Sequence, residues 1–516
     1  MNSVSRRVRL GAMTVCTSLL TGTSAGMAAL NPVLQVGIWQ RFGQDKTDAL
    51  QVSAPSGSLL TLQFSDAQGQ AQTLRAPRVV IGIVNQALAT PETVQRVVLS
   101  SHLSFESAEA SAKRWQAKGA LTEVAQPNEW QVWAKRDAYQ PEQLPQFVEY
   151  ARANGLSGVR IHREQRTQVP LLTWQVDGVS YRSTQVHIFS DSGTFRTNTR
   201  AYAGSLKMQP NAYGTYTAVN HVPLETYLRG VVPHEIGPGA PPASIAAQAI
   251  LARTYALKNR HRFQVDNYEL CANTHCQVYK GLTETVAAAD QAIAATQGQV
   301  VTFNGELIDA VYFSTSGGVT AAFEDLWDGD PRPYLQPVMD GLNKTLVDLR
   351  QTQSFREFLS RRQGFNEAGI SSLFRWQIPL SLDTIAQKLR RSQPYLGIPV
   401  PQFQRIAGLE VLDRSRSGRV QSLQIALATD QGVETLTLSK DNIRLAFPDL
   451  YSTMFDVQPT GQGFTFVGAG FGHGVGFSQY GSYGLARQGF GASQLLAFYY
   501  PGTQLTTLTP ELVSLR

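Results

Sequence analysis

A chain of 516 residues is longer than one hydrophobic core serves. Its 42% hydrophobic and 16% charged residues, with 43 Gly and 25 Pro, exclude a fibrous or disordered polymer and point to several loop-rich domains. The net charge of +6 suits an anionic surface, yet no basic run or nucleic-acid motif is present, so no nucleic-acid partner is expected.

The first elements read as an export signal over residues 1–29. Arg6, Arg7 and Arg9 precede an apolar stretch from Leu10 to Leu20, and Ala25-Gly26-Met27-Ala28-Ala29 offers a cleavage site. Ser5 to Leu10 loosely matches a twin-arginine signal. A retained anchor is the alternative. No later segment has the length of a membrane span, so the mature protein is expected without an integral span, in the periplasm, cell wall or extracellular space. Of three cysteines, one falls in this signal.

Residues 30–93 alternate apolar and polar, as in Val33 to Ile38 and Leu59 to Phe64, which predicts short strands. They are either the first strands of the main domain or a small separate one. Residues 94–165 change pattern: a strand at Val97-Val98-Leu99, then a helix from Phe105 to Lys118 stopped by Gly119. Strands follow at Leu121 to Val124 and Trp130 to Trp133, then a helix at Leu144 to Ala153 and a strand at Val159-Arg160-Ile161. That order is a compact α+β unit. "FESAEASAKRWQAKG" followed by Trp-Gln-Val-Trp resembles the SPOR domain, which implies binding to glycan strands stripped of stem peptides. Trp130 and Trp133 fall on opposite strand faces, so at least one is core and at most one can serve as a ligand platform. Residues 166–516 mix strands, helices and a Gly-rich end, with 341–400 expected as a polar, mostly helical elaboration. The fold class expected for the whole is multi-domain α+β.

Glu235 stands in a Pro- and Gly-rich loop from Pro233 to Pro242, just before a helix whose Ile245, Ala249, Ala252 and Ala256 form one apolar stripe. A carboxyl there is placed to have its pKa raised by desolvation; the plainer alternative is a solvated loop residue. Cys271, His275 and Cys276 offer zinc-type ligands within six residues, with His261 the nearest upstream candidate; a Cys271–Cys276 disulfide is the other reading. "STSGG" at 314–318 and "GAGFGHGVGFSQYG" at 468–481 lack the lysine and spacing of a phosphate loop. Ser314, Ser316, His473, Gln479 and Tyr480 are candidates for sugar hydroxyls and N-acetyl groups. Tyr279 and Trp327 are candidates for a sugar-ring face or, equally, for the core.

Four stretches in order, "GVVPHE…AAQAILARTYAL", "LCANTHCQVYKG", "LIDAVYFSTSGGVTAAFEDLW" and "GAGFGHGVGFSQYGSYGLARQGF…LLAFYYPGTQL", resemble the SpoIID/LytB (stage II sporulation protein D) family over about 219–505. The resemblance implies a protein acting on peptidoglycan glycan strands. It is either a lytic transglycosylase using Glu235 as acid and base, or a non-catalytic enhancer of a cell-wall amidase. It also supports structural zinc at the Cys-His stretch. Two departures stand out: Ala243 replaces the family's second Glu, and Ile236-Gly237 replaces Met-Pro after the catalytic position.

Overall fold

The computed structural model describes residues 30–514 apart from 157, 394, 395 and 397. The expected signal, residues 1–29, lies outside the described residues. The fold is mixed α+β, built on several sheets.

The first strands are woven into the main body. Val33–Phe42 lies between Tyr216–Pro223, antiparallel, and Leu270–Cys271, parallel. Leu60–Ser65 pairs with Val186–Ser190 in the same seven-stranded sheet. Alternation sets which face is covered: Leu34 and Val36, then Leu60, Leu62 and Phe64, all point into one core.

A long antiparallel ribbon, Arg78–His102 against Arg160–Val176, with one register shift between Ala87 and Glu92, runs through both ends of the 94–165 region. Between its arms lie the helix Phe105–Gln116, the hairpin Thr122–Ala125 and Trp130–Ala134, and the helix Leu144–Ala153. The two tryptophans do point to opposite faces, but both faces are covered. Trp130 (1% exposed) packs with Phe105 and Phe263, and Trp133 (0%) packs with Val98 and Tyr213. Neither is a free ligand platform. Phe263 and Tyr213 belong to the body, so the core of this unit continues into it.

The centre of the body is the helix Pro242–Lys258. It is buried on nearly every side from Ser244 to Leu257, because its many alanines let other helices approach closely. Arg253, fully buried within it, makes a two-pronged pair with Glu225 at 2.8 and 2.7 Å and ties down the helix Leu224–Arg229.

The 341–400 stretch is not mostly helical. Its helices Thr352–Ser360 and Leu382–Ser392 accompany the strand Arg375–Ser381, and the unit closes only with strands reaching Ala469. Two three-stranded sheets result, with a separate core that includes Ile385, Leu389, Ile425 and Phe466. The period-two apolar pattern of Val420–Thr429 buries Leu423, Ile425 and Leu427 and makes strand the better packing solution there.

Candidate functional site

Glu235 ends a single helical turn, Val232–Glu235, directly after the helix Leu224–Arg229. Gly237 follows at φ +82, a left-handed conformation that terminates the turn. Proline, with φ fixed near −65°, could not take it. The chain then re-enters helix at Pro242. Three contacts fasten this turn: the Gln479 side-chain amide donates to the Glu235 carbonyl at 3.0 Å, the Tyr483 hydroxyl donates to the Ile236 carbonyl, and the Val278 N–H donates to Glu235 Oε1 at 2.7 Å.

The residue keeps partial access to solvent while protein crowds its carboxyl. Burial pushes the carboxyl up to about 7, against the opposing pull of the Val278 N–H and the Tyr312 hydroxyl. Among the described residues no neighbouring charge shares in setting it. This is one carboxyl able to hold a proton near neutrality and release it again.

The Gly-rich end arrives beside this turn. Tyr312–Phe313 and Phe477–Ser478 pair in parallel, and the helix Gln479–Arg487 starts immediately after. Gly476 permits the approach: a Cβ there would lie 2.3 Å from the Val311 carbonyl oxygen. That glycine therefore serves chain-on-chain packing, not the approach of a ligand. Tyr480 donates its N–H to the Ser314 carbonyl at 3.0 Å. Glu235, Ser314, Gln479 and Tyr480 are thus brought together, and both Ser314 and Tyr480 remain partly exposed.

Other expected contacts take different roles. Ser316 is fully buried, its hydroxyl 2.7 Å from Glu367 Oε1 and 3.0 Å from Asp340 Oδ2. Tyr279 is fully buried, donating to Asn220 Oδ1 at 2.8 Å, and Trp327 is buried as well. Neither ring is free to stack on a sugar. The His473 ring packs against Phe313 and Trp327. Its Nδ1 accepts the Val475 N–H at 3.1 Å and its Nε2 donates to the Tyr312 carbonyl at 2.9 Å, so it is neutral and braces the Tyr312 strand. Burial holds its pKa down near 3.

Cys271 and Cys276 are joined by a disulfide. His275 is exposed, and the His261 ring is paired with Glu109 at 3.0 Å. Among the described residues no three His, Cys, Asp or Glu side chains gather as a metal site. So arranged, the four expected ligands do not fit a zinc ion: the sulfurs hold each other and His261 has another partner.

Residues that the sequence reading passed over complete the site: Tyr312, Gln277, Gln248 and Tyr483. Tyr312 and Gln277 both lie inside stretches singled out above, two residues before Ser314 and one after Cys276. A cleft of ≈ 1590 Å³ lies elsewhere, between the Phe105–Gln116 helix and the body; Glu106, Glu109, Arg260, His261 and Arg332 help line it, and Glu235 does not.

A turn-borne acid is thus held between a disulfide-closed segment and a Gly-rich helix start. Over part of its length the chain is similar to the SpoIID family. Residues 212–303 match the family model described as stage II sporulation protein, and 321–476 match a domain of unknown function, DUF8618. The stage II sporulation protein D of Bacillus subtilis (strain 168) is 28% identical over 323 residues, 59% of this chain and 81% of that protein. The same-named protein of Bacillus amyloliquefaciens is 26% identical, over 60% of this chain and 82% of its own length. The amidase enhancer of Bacillus subtilis is 28% identical over 297 residues, 54% of this chain but only 40% of that relative.

Proposed function

We propose that this protein is an exported lytic transglycosylase that cleaves MurNAc–GlcNAc bonds of denuded peptidoglycan strands, with Glu235 as acid and then base. The observation that carries the reading is a lone, desolvated carboxyl with its pKa raised to about 7 and no charged partner. Glu235 protonates the glycosidic oxygen as the bond breaks. It then takes the proton of the sugar's 6-hydroxyl as that oxygen attacks the anomeric carbon, closing a 1,6-anhydro ring without water. One carboxyl suffices for both steps, whereas a two-carboxylate glycosidase needs a partner about 5 to 9.5 Å away. Ser314, Gln479 and Tyr480 are proposed to contact the sugar beside it. The 94–165 unit is proposed to grip the glycan through the polar wall of its cleft with the body, since its tryptophans are in the core.

A second reading, a non-catalytic partner of a cell-wall amidase, is favoured by the amidase-enhancer relative and by the Ile236-Gly237 turn. Mass spectrometry of denuded strands separates the two. The transglycosylase leaves 1,6-anhydro ends, and Glu235→Gln reduces their formation by the ~10²–10⁴-fold of general acid–base catalysis while glycan binding survives. Unaltered strands, together with stimulation of an added amidase, would establish the second reading.

A further inference from the structure

Glu235 stands beside the end of a hydrogen-bonded chain of buried polar side chains that the reaction above does not use. Tyr227, fully buried, donates its hydroxyl to Gln277 Oε1 at 3.2 Å. With the amide so oriented, Gln277 Nε2 points at the Tyr312 hydroxyl oxygen, 3.1 Å away, and donates to it. That oxygen is then an acceptor toward Gln277, and its own hydrogen is left for another group. The group facing it is the Glu235 carboxyl.

We infer that Tyr312 is a positioning residue for Glu235, held by Tyr227, Gln277 and His473 so that its O–H is directed at the carboxyl. The inference deepens the proposed function and rests on Glu235 being the reacting acid. Two fastenings fix Tyr312 independently of Glu235. His473 Nε2 donates to its carbonyl at 2.9 Å, and the strand that it opens pairs with Phe477–Ser478. The residue after Gln277 supplies the other donor to the carboxyl, the Val278 N–H at 2.7 Å. One short segment, 277–278, therefore supplies the Val278 donor to Glu235 and holds the Tyr312 hydroxyl beside it.

The physical consequence is specific. Donors to a carboxylate favour its charged form, so the Tyr312 hydroxyl opposes the desolvation that raises Glu235. Without it the acid would stay protonated to higher pH and release its proton less readily in the second half of the reaction.

The test is a ¹³C-carboxyl NMR titration of the full chain labelled at glutamate, with Glu235→Gln assigning the resonance. Tyr312→Phe keeps the ring and removes only the hydroxyl, and the Glu235 midpoint should rise by about one unit, the equivalent of one charge-assisted hydrogen bond. Tyr500→Phe removes a comparably buried hydroxyl that donates to the Val311 carbonyl instead, and should leave the midpoint in place. An unmoved midpoint in Tyr312→Phe, or an equal rise in both variants, overturns the inference. The titration needs no substrate, so it stands or falls separately from cleavage. If Glu235→Gln cleaves glycan as well as the wild type, the proposed function fails while the titration result still decides the role of Tyr312.

Discussion

Val278, two residues beyond the Cys271–Cys276 disulfide, donates its backbone N–H to Oε1 of Glu235 at 2.7 Å. A covalent loop closure and the candidate acid are thereby linked through one short segment, 276–278. The same loop is anchored at its other end to the first strand, where Cys271 pairs in parallel with Gly37.

Closing so short a loop should stabilise the fold by about 2 kcal/mol. Cys271→Ser with Cys276→Ser should lower the melting temperature and weaken cleavage by loosening the Val278 donor. The intact protein should have a mass lower than the reduced chain by one pair of hydrogens. Elemental analysis that finds one zinc per chain in the purified protein would instead establish the metal reading of Cys271, His275 and Cys276.

The pH profile of cleavage should follow Glu235. The acid must be protonated at the first step, so activity should fall as pH rises through about 7. The stability linkage has the same direction. A carboxyl raised in the folded state contributes stability that is fully present below its unfolded value of about 4.5 and is lost as pH rises through about 7. Urea unfolding at a series of pH values should show this slope, and Glu235→Gln should remove its share.

Asp340 and Glu367 form a second, fully buried acid pair bridged by the Ser316 hydroxyl. Glu367 also accepts from the N–H groups of Ser316 and Gly318, and Asp340 accepts from Asn366 and Tyr499. Burial raises both carboxyls, and burial together with the neighbouring Asp340 pushes Glu367 to about 8. Arg375 and Arg419 approach from the elaboration without pairing directly. Serine has one hydroxyl hydrogen for two carboxylates, so the pair holds a shared proton. Stability should decline by at most about 1.4 kcal/mol per pH unit as that proton is lost up to about pH 8. Asp340→Asn, which mimics the protonated form, should flatten the decline and match or exceed the wild type at pH 9. A decline of unchanged steepness in that variant would show that the proton is held elsewhere.

Arg253 and Glu225 form a buried, two-pronged ion pair in the body. Arg253→Ala should cost about 3–5 kcal/mol, because Glu225 would lose its charged partner beneath the helix Pro242–Lys258 and keep only the Gly298 N–H. Circular dichroism with thermal melting measures this directly. A loss below 1 kcal/mol would mean that Glu225 finds another partner or takes up a proton.

Local pattern alone determined a good part of this protein. The helices Phe105–Gln116 and Leu144–Ala153, the strand at Trp130 and the family motifs around Glu235 are all legible from apolar spacing, Gly stops and residue type. The opposite facing of Trp130 and Trp133 follows from the two-residue period of a strand. Tertiary structure decided what those faces meet. Phe263 and Tyr213, distant in sequence, cover both tryptophans, and Ser316 turns to a buried acid pair instead of a sugar. Tyr312 and Gln277, unremarkable in their motifs, became part of the polar chain beside the candidate acid. Periodicity reports which residues leave water, but the partner that each one finds depends on contacts between segments tens to hundreds of residues apart, and only the folded chain brings those together.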